Sequence, residues 1–101
     1  MKKIYTIEEI KEKLYPILKT VSVYKAILFG SYAKGLATEN SDIDIVIDTK
    51  GQLLNIYFYE LLEEIIEKLG KKVDLIEISE IQKNSSIYDN IKKEGIVLYE
   101  K

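Results

Sequence analysis

The chain has 101 residues, 15 basic against 17 acidic, and a net charge of −2, which suits one domain over residues 1–101 with a single core. It has no Cys and no His, so disulfides, thiolate zinc sites, cysteine nucleophiles and imidazole bases are all excluded. No basic stripe invites nucleic acid, no apolar run reaches the roughly 18 residues of a membrane span, and no signal-peptide core opens the chain; the expectation is a soluble, cytoplasmic protein with no direct nucleic-acid or membrane partner.

Thr6-Ile7-Glu8-Glu9 fits a capping box, followed by Ile7, Ile10, Leu14, Ile17, Leu18 and Val21 at helical spacing. Pro16 is expected to kink or break that helix, because it cannot donate to the carbonyl of Glu12. Tyr24 to Phe29 reads as a short buried strand ending at Gly30, with a short helical turn near Ser31 and a loop from Leu36 to Asn40. Asp42 to Asp48 is the second strand. Side chains alternate across a strand, so Asp42, Asp44, Val46 and Asp48 share one face and Ile43, Ile45 and Ile47 the other.

Gly51 marks a turn. Residues 52–69 predict the strongest helix, with Leu54, Phe58, Leu61, Leu62, Ile65 and Leu69 on one side and Gly70 as its stop. Leu53, Ile56 and Tyr57 lie off that stripe and Tyr59 flanks it, which fits first-turn packing or a partner surface equally. Val73 to Ile78 is a third strand, Ile81 to Lys93 a final helix closed by Gly95, and Ile96 to Tyr99 a short last strand. The order α-β-α-β-α-β-α, with that last strand, predicts an α/β (α+β) fold: a small mixed sheet flanked by helices.

The chemistry sits between the first two strands. Gly30 to Gly35 has Walker A glycine spacing, but Leu36-Ala37 stands where Lys-Ser/Thr is required. No Gly-x-Gly-x-x-Gly is present either. What stands is Leu28-Phe29-Gly30-Ser31-Tyr32-Ala33-Lys34-Gly35, then Ser41-Asp42-Ile43-Asp44-Ile45. Gly30-Ser31 can aim backbone N–H groups at phosphates, although alone it also describes an ordinary strand-to-helix turn. Asp42 and Asp44 offer paired hard oxygen donors of the kind Mg²⁺ or Mn²⁺ takes. Asp44 interrupts an Ile-rich strand and Asp74 sits between Val73 and Leu75; a buried carboxylate needs a partner or a metal. Asp48 reads as a solvated strand end, Ser41 as a loop cap, and the Lys/Glu-rich stretches as solvated helix faces.

This run resembles the DNA polymerase β-type nucleotidyltransferases, and most closely the minimal nucleotidyltransferases. The resemblance spans nearly the whole chain, including Val73-Asp74-Leu75-Ile76 and the closing Glu94-Gly95-Ile96-Val97-Leu98-Tyr99. It implies that Asp42, Asp44 and Asp74 are the catalytic and metal-binding acids. Two Mg²⁺ ions about 3.5–4 Å apart would stabilise the attacking and leaving oxygens. Gly30, Ser31 and Lys34 would hold the triphosphate of ATP, helped by the positive end of the short helix. Three clustered acids repel, so their pKa values are expected to rise without metal. Many relatives carry Arg where this chain has Lys34, which keeps the charge and loses the guanidinium fork.

The implied activity is transfer of AMP from ATP to a hydroxyl. In the minimal group the acceptor is a tyrosine on a HEPN-domain ribonuclease toxin, which makes the small protein its antitoxin. The alternatives are a non-catalytic module that neutralises a partner by association, and a small-molecule nucleotidyltransferase of the aminoglycoside type, which needs a homodimer to build its acceptor pocket.

Overall fold

The computed structural model describes residues 3–53 and 55–101. The described residues form helices α1 (Ile7–Leu18), α2 (Gly30–Lys34), α3 (Ile56–Leu69) and α4 (Ser86–Glu94), and strands β1 (Lys25–Phe29), β2 (Ile43–Asp48), β3 (Val73–Glu77) and β4 (Ile96–Glu100). The strands make one sheet in the order β3-β2-β1-β4. β2 and β3 are parallel and the other pairs antiparallel, so the sheet is mixed as expected.

The capping box at Thr6 forms as predicted: Thr6 Oγ1 accepts from the Glu9 N–H (3.1 Å), and Glu9 accepts from the Thr6 N–H (2.9 Å). Pro16 does not interrupt α1, which runs on to Leu18. Pro16 lies in the last turn, and the Lys19 N–H closes the end on the Tyr15 carbonyl, so the missing proline donor costs one bond at an end already short of partners.

Ile10, Leu14 and Leu18 of α1 and Leu61, Ile65 and Leu69 of α3 are buried in one cluster with Ala26, Leu28, Ile43, Ile45 and Ile47 of the sheet. α1 and α3 therefore cover one face. α4 lies on the other, where Val46 and Ile91 are buried outside that cluster. Asp44 projects on this second face.

Two predicted starts are corrected. α3 begins at Ile56, not at residue 52. Lys50, Gly51 and Asn55 all have left-handed φ, and Leu53 is buried in the core instead of lying off the helix stripe; burying Leu53 draws that segment out of helical geometry. Ile56, Tyr57 and Tyr59 remain exposed. Leu54 of the predicted stripe lies outside the described residues. α4 begins at Ser86, not Ile81: Ser85 Oγ caps it by accepting from the Tyr88 N–H, and Ile78–Glu80 form a 3₁₀ turn after β3. Serine capping outweighs the apolar spacing at Ile81.

The parallel pair β2–β3 is locked at its far end by an unpredicted carboxylate. Glu77 is 5% exposed and accepts from Thr49 N–H (2.9 Å), Thr49 Oγ1 (2.7 Å) and Ser79 N–H (2.9 Å). Burial pushes this carboxyl up, but the donors on Ser79 and Thr49 outweigh it and hold the group below the usual glutamate range. Glu77→Ala strands buried donors on Thr49 and is expected to cost about 3 kcal/mol, read by urea unfolding at pH 7. Because the folded pKa lies below the unfolded one, Glu77 contributes its full stability above about pH 5 and loses it as the pH falls. The variant's deficit should therefore shrink in acid.

Candidate active site

The site assembles where β1 ends and β2 and β3 begin. Phe29 pairs with Asp44, and Asp44 pairs with Asp74 in the parallel register. These three positions thus lie side by side across three strands. α2 follows β1 directly and is held by Tyr32, whose ring is buried in the core; this fixes Gly30 and half-buried Ser31 above the acids.

Gly30 has φ +72°, and a Cβ there would fall on Oδ2 of Asp44. Only glycine allows both this left-handed turn and so close an approach of the carboxylate to the backbone. The glycine of the Gly-Ser pair is therefore shaped by the acid fourteen residues later.

Asp44 is the most perturbed acid. Burial, a hydrogen bond shared with Asp74, and the charges of Asp74 and Asp42 push its carboxyl up to about 6. A carboxyl raised in this way gives up its proton more readily when a cation lies beside it. Asp42 adds its charge but leans the other way, with Oδ2 3.7 Å from the Nζ of Lys72. Lys71, next to it, donates to the carbonyls of Glu39 and Lys3 (both 2.9 Å) and ties down the loop that carries Asp42.

Among the described residues no three acids already stand as a cage for an ion. Asp44 and Asp74 are brought together, while Asp42 neighbours them and pairs with a surface lysine. Lys34 reaches Glu94 of α4 at 3.7 Å, both half-exposed. Asp48 accepts from the Lys50 N–H at 3.0 Å, and Ser41 Oγ accepts from the Thr38 N–H at 2.8 Å, the strand-end and loop-cap roles expected of them.

Sequence reasoning missed Glu77. Its signal was its register: Val73, Leu75 and Glu77 alternate onto one face, and all three are buried. Nor did it show that Ile76, Ile87 and Asn90 line one cavity with Gly30, which only the packing of α4 brings about.

Comparison with known proteins bears on this arrangement. The profile of the family described as "Polymerase beta, Nucleotidyltransferase" matches residues 12–101. A candidate protein adenylyltransferase of Methanocaldococcus jannaschii is 37% identical over 90 residues, 89% of this chain and 95% of its own. The protein adenylyltransferase MntA of Shewanella oneidensis is 41% identical over 51 residues, 50% of this chain and 37% of its own. A crystal structure of a toxin–antitoxin with AMP-PNP superposes with a TM-score of 0.76 at 27% identity, over 90% of this chain and 73% of that one. A chain in a complex of a tri-AMPylated Shewanella oneidensis HEPN toxin with its MNT antitoxin shares the fold, with a TM-score of 0.70 at 23% identity, over 94% of this chain and 73% of that one. The chain described here belongs to the polymerase β-type nucleotidyltransferase family.

Proposed function

We propose that the protein transfers AMP from ATP to a tyrosine hydroxyl of a HEPN-type toxin and so acts as its antitoxin. The observation that carries this reading is the meeting of Asp44 and Asp74 against Gly30, the residue that precedes Ser31 at the start of α2. The relatives named as protein adenylyltransferases, and the toxin–antitoxin complexes that share the fold, support the direction of transfer and the class of acceptor.

The donor set suits Mg²⁺, because it is all carboxylate oxygen and because a cation would relieve the repulsion that raises the carboxyl of Asp44. Asp42, Asp44 and Asp74 would hold the metal. Bound there, it would supply charge neutralisation of the triphosphate and of the developing oxyanions. The chain's own groups do the rest. Ser31 Oγ and the N–H groups of the Gly30–Ser31 turn hold phosphate oxygens, and Lys34 adds a point charge. The acceptor oxygen attacks the α-phosphorus, the bond from that phosphorus to the bridging oxygen of the β-phosphate breaks, and pyrophosphate leaves. The hydroxyl proton passes to the carboxylate of Asp74.

The test is to incubate the protein with ATP, Mg²⁺ and a HEPN-type toxin and to measure intact masses. AMP-sized increments on the toxin that vanish with Asp42→Asn/Asp44→Asn support transfer. Toxin inhibition that survives the double substitution without any increment supports neutralisation by association alone.

A further inference from the structure

A small slot opens beside the acids on the same face of the sheet. It measures about 240 Å³ and lies between the end of β1, α2, β3 and α4, with Phe29, Gly30, Ile76, Ile87 and Asn90 among its walls. Lys34 and Glu94, 3.7 Å apart, also line it. Phe29 is the register partner of Asp44, and Ile76 follows Asp74 by two residues, so it shares the face of that acid. The slot thus lies on the acids' face of the sheet, and Gly30, which meets Asp44, is one of its walls.

We infer that this slot seats the nucleobase of the bound nucleotide, between the apolar walls Phe29, Ile76 and Ile87, with the Asn90 amide reading the polar edge of the ring. The inference rests on the proposed triphosphate site, since it concerns the other end of the same molecule. Four observations carry it. The slot is smaller than the roughly 300–1,000 Å³ that take a whole drug-sized ligand, which suits one planar ring with ribose and phosphates outside. Its lining is mainly apolar, with the Asn90 amide and the Lys34–Glu94 pair as its polar side chains, the pattern of a site that stacks a ring and fixes its orientation. Gly30 lines the slot and also starts the phosphate turn, so one nucleotide spans both without moving the backbone. Ile87 is 55% exposed as the protein stands, an apolar side chain on the rim that a stacked base would cover.

The inference gives α4 a role: it supplies the outer wall of the nucleotide site from a helix remote in sequence from the motif residues.

Calorimetry on the full chain in Mg²⁺ separates the base from the phosphates. The probes are ATP and inorganic tripolyphosphate, against the wild type, Ile87→Ser/Asn90→Ala and Asp44→Asn. The slot requires ATP to bind at least about tenfold more tightly than tripolyphosphate to the wild type, which corresponds to about 1.4 kcal/mol. It requires Ile87→Ser/Asn90→Ala to erase that margin while tripolyphosphate binding stays within about twofold, and Asp44→Asn to weaken both ligands. Both slot residues are exposed, so the double variant should melt as the wild type does. If ATP and tripolyphosphate bind alike, or if the slot variant leaves the ATP margin intact, the slot assignment falls and the proposed transferase site stands. If neither ligand binds, the proposed site falls and the slot with it.

Discussion

Asp44→Asn is expected to abolish AMP transfer and, in metal-free buffer at pH 7.5, to make the protein more stable. The carboxyl of Asp44 is pushed up to about 6 by burial, by Asp74 and by Asp42. A folded pKa above the unfolded one means that ionising the group weighs against the fold. Asp44's own contribution without metal is therefore most favourable below its unfolded pKa, is lost as the pH rises to about 6, and stays lost above it. The asparagine has no charge to ionise. Allowing for the solvent that reaches this half-buried group, the gain is about 1 kcal/mol, or several degrees in Tm for a domain of this size. Transfer should fall by about a thousandfold or more, because the group sits where the transition-state charge must be balanced. Thermal melts of both proteins from pH 4.5 to 8, with and without Mg²⁺, check the account. The wild type should gain from the cation and Asp44→Asn should gain little. Equal slopes with pH for the two proteins would contradict it.

Gly30→Ala is the second large effect. The substitution places a Cβ on Asp44 Oδ2 and forces alanine to a φ of +72°. The left-handed backbone alone costs about 1 kcal/mol, and relieving the clash moves either the turn or the acid. The expected total is about 2–4 kcal/mol of destabilisation, with transfer reduced as severely as in Asp44→Asn. The two variants thus separate cleanly: both lose activity, but one loses stability while the other gains it. Gly35→Ala is the comparison. Gly35 also has a positive φ, but nothing lies within 4 Å of an added Cβ. It should pay the backbone strain alone, and its activity should follow its residual fold.

These effects follow from features that differ in how openly the sequence carries them. The Thr6–Glu9 capping box, the Gly70 stop and the alternation through β2 are local, set by residues within a turn or a strand, and they were legible. So was the suspicion attached to Asp44, because a carboxylate among isoleucines conflicts with its own strand. The start of α3 was not legible. Its stripe runs back through the turn, and only the core shows that Leu53 is buried and Asn55 takes a left-handed φ. Apolar spacing likewise carried the last helix back to Ile81, whereas the cap at Ser85 sets its start. The break expected at Pro16 did not occur, since α1 runs on through it to Leu18, two residues further.

Part of the candidate site was visible as chemistry but not as geometry. The two motifs name Asp42 and Asp44, and strand order brings in Asp74, yet nothing local indicates that Asp42 leans to Lys72 while Asp44 meets Asp74. The slot beside them depends on where α4 lands, a long-range packing result. Glu77 was readable in principle from its inward register on β3, but its partners on Thr49 and Ser79 come from elsewhere in the chain and from the following turn.

The most direct measurement is label transfer to a HEPN-type toxin from ATP labelled at the α-phosphate, run beside ATP labelled at the γ-phosphate, with wild-type protein and with Asp44→Asn. The account predicts label on the toxin from the α-position alone, with none when Asp44 is replaced. Label arriving from the γ-position, or α-label that persists in Asp44→Asn, would contradict it.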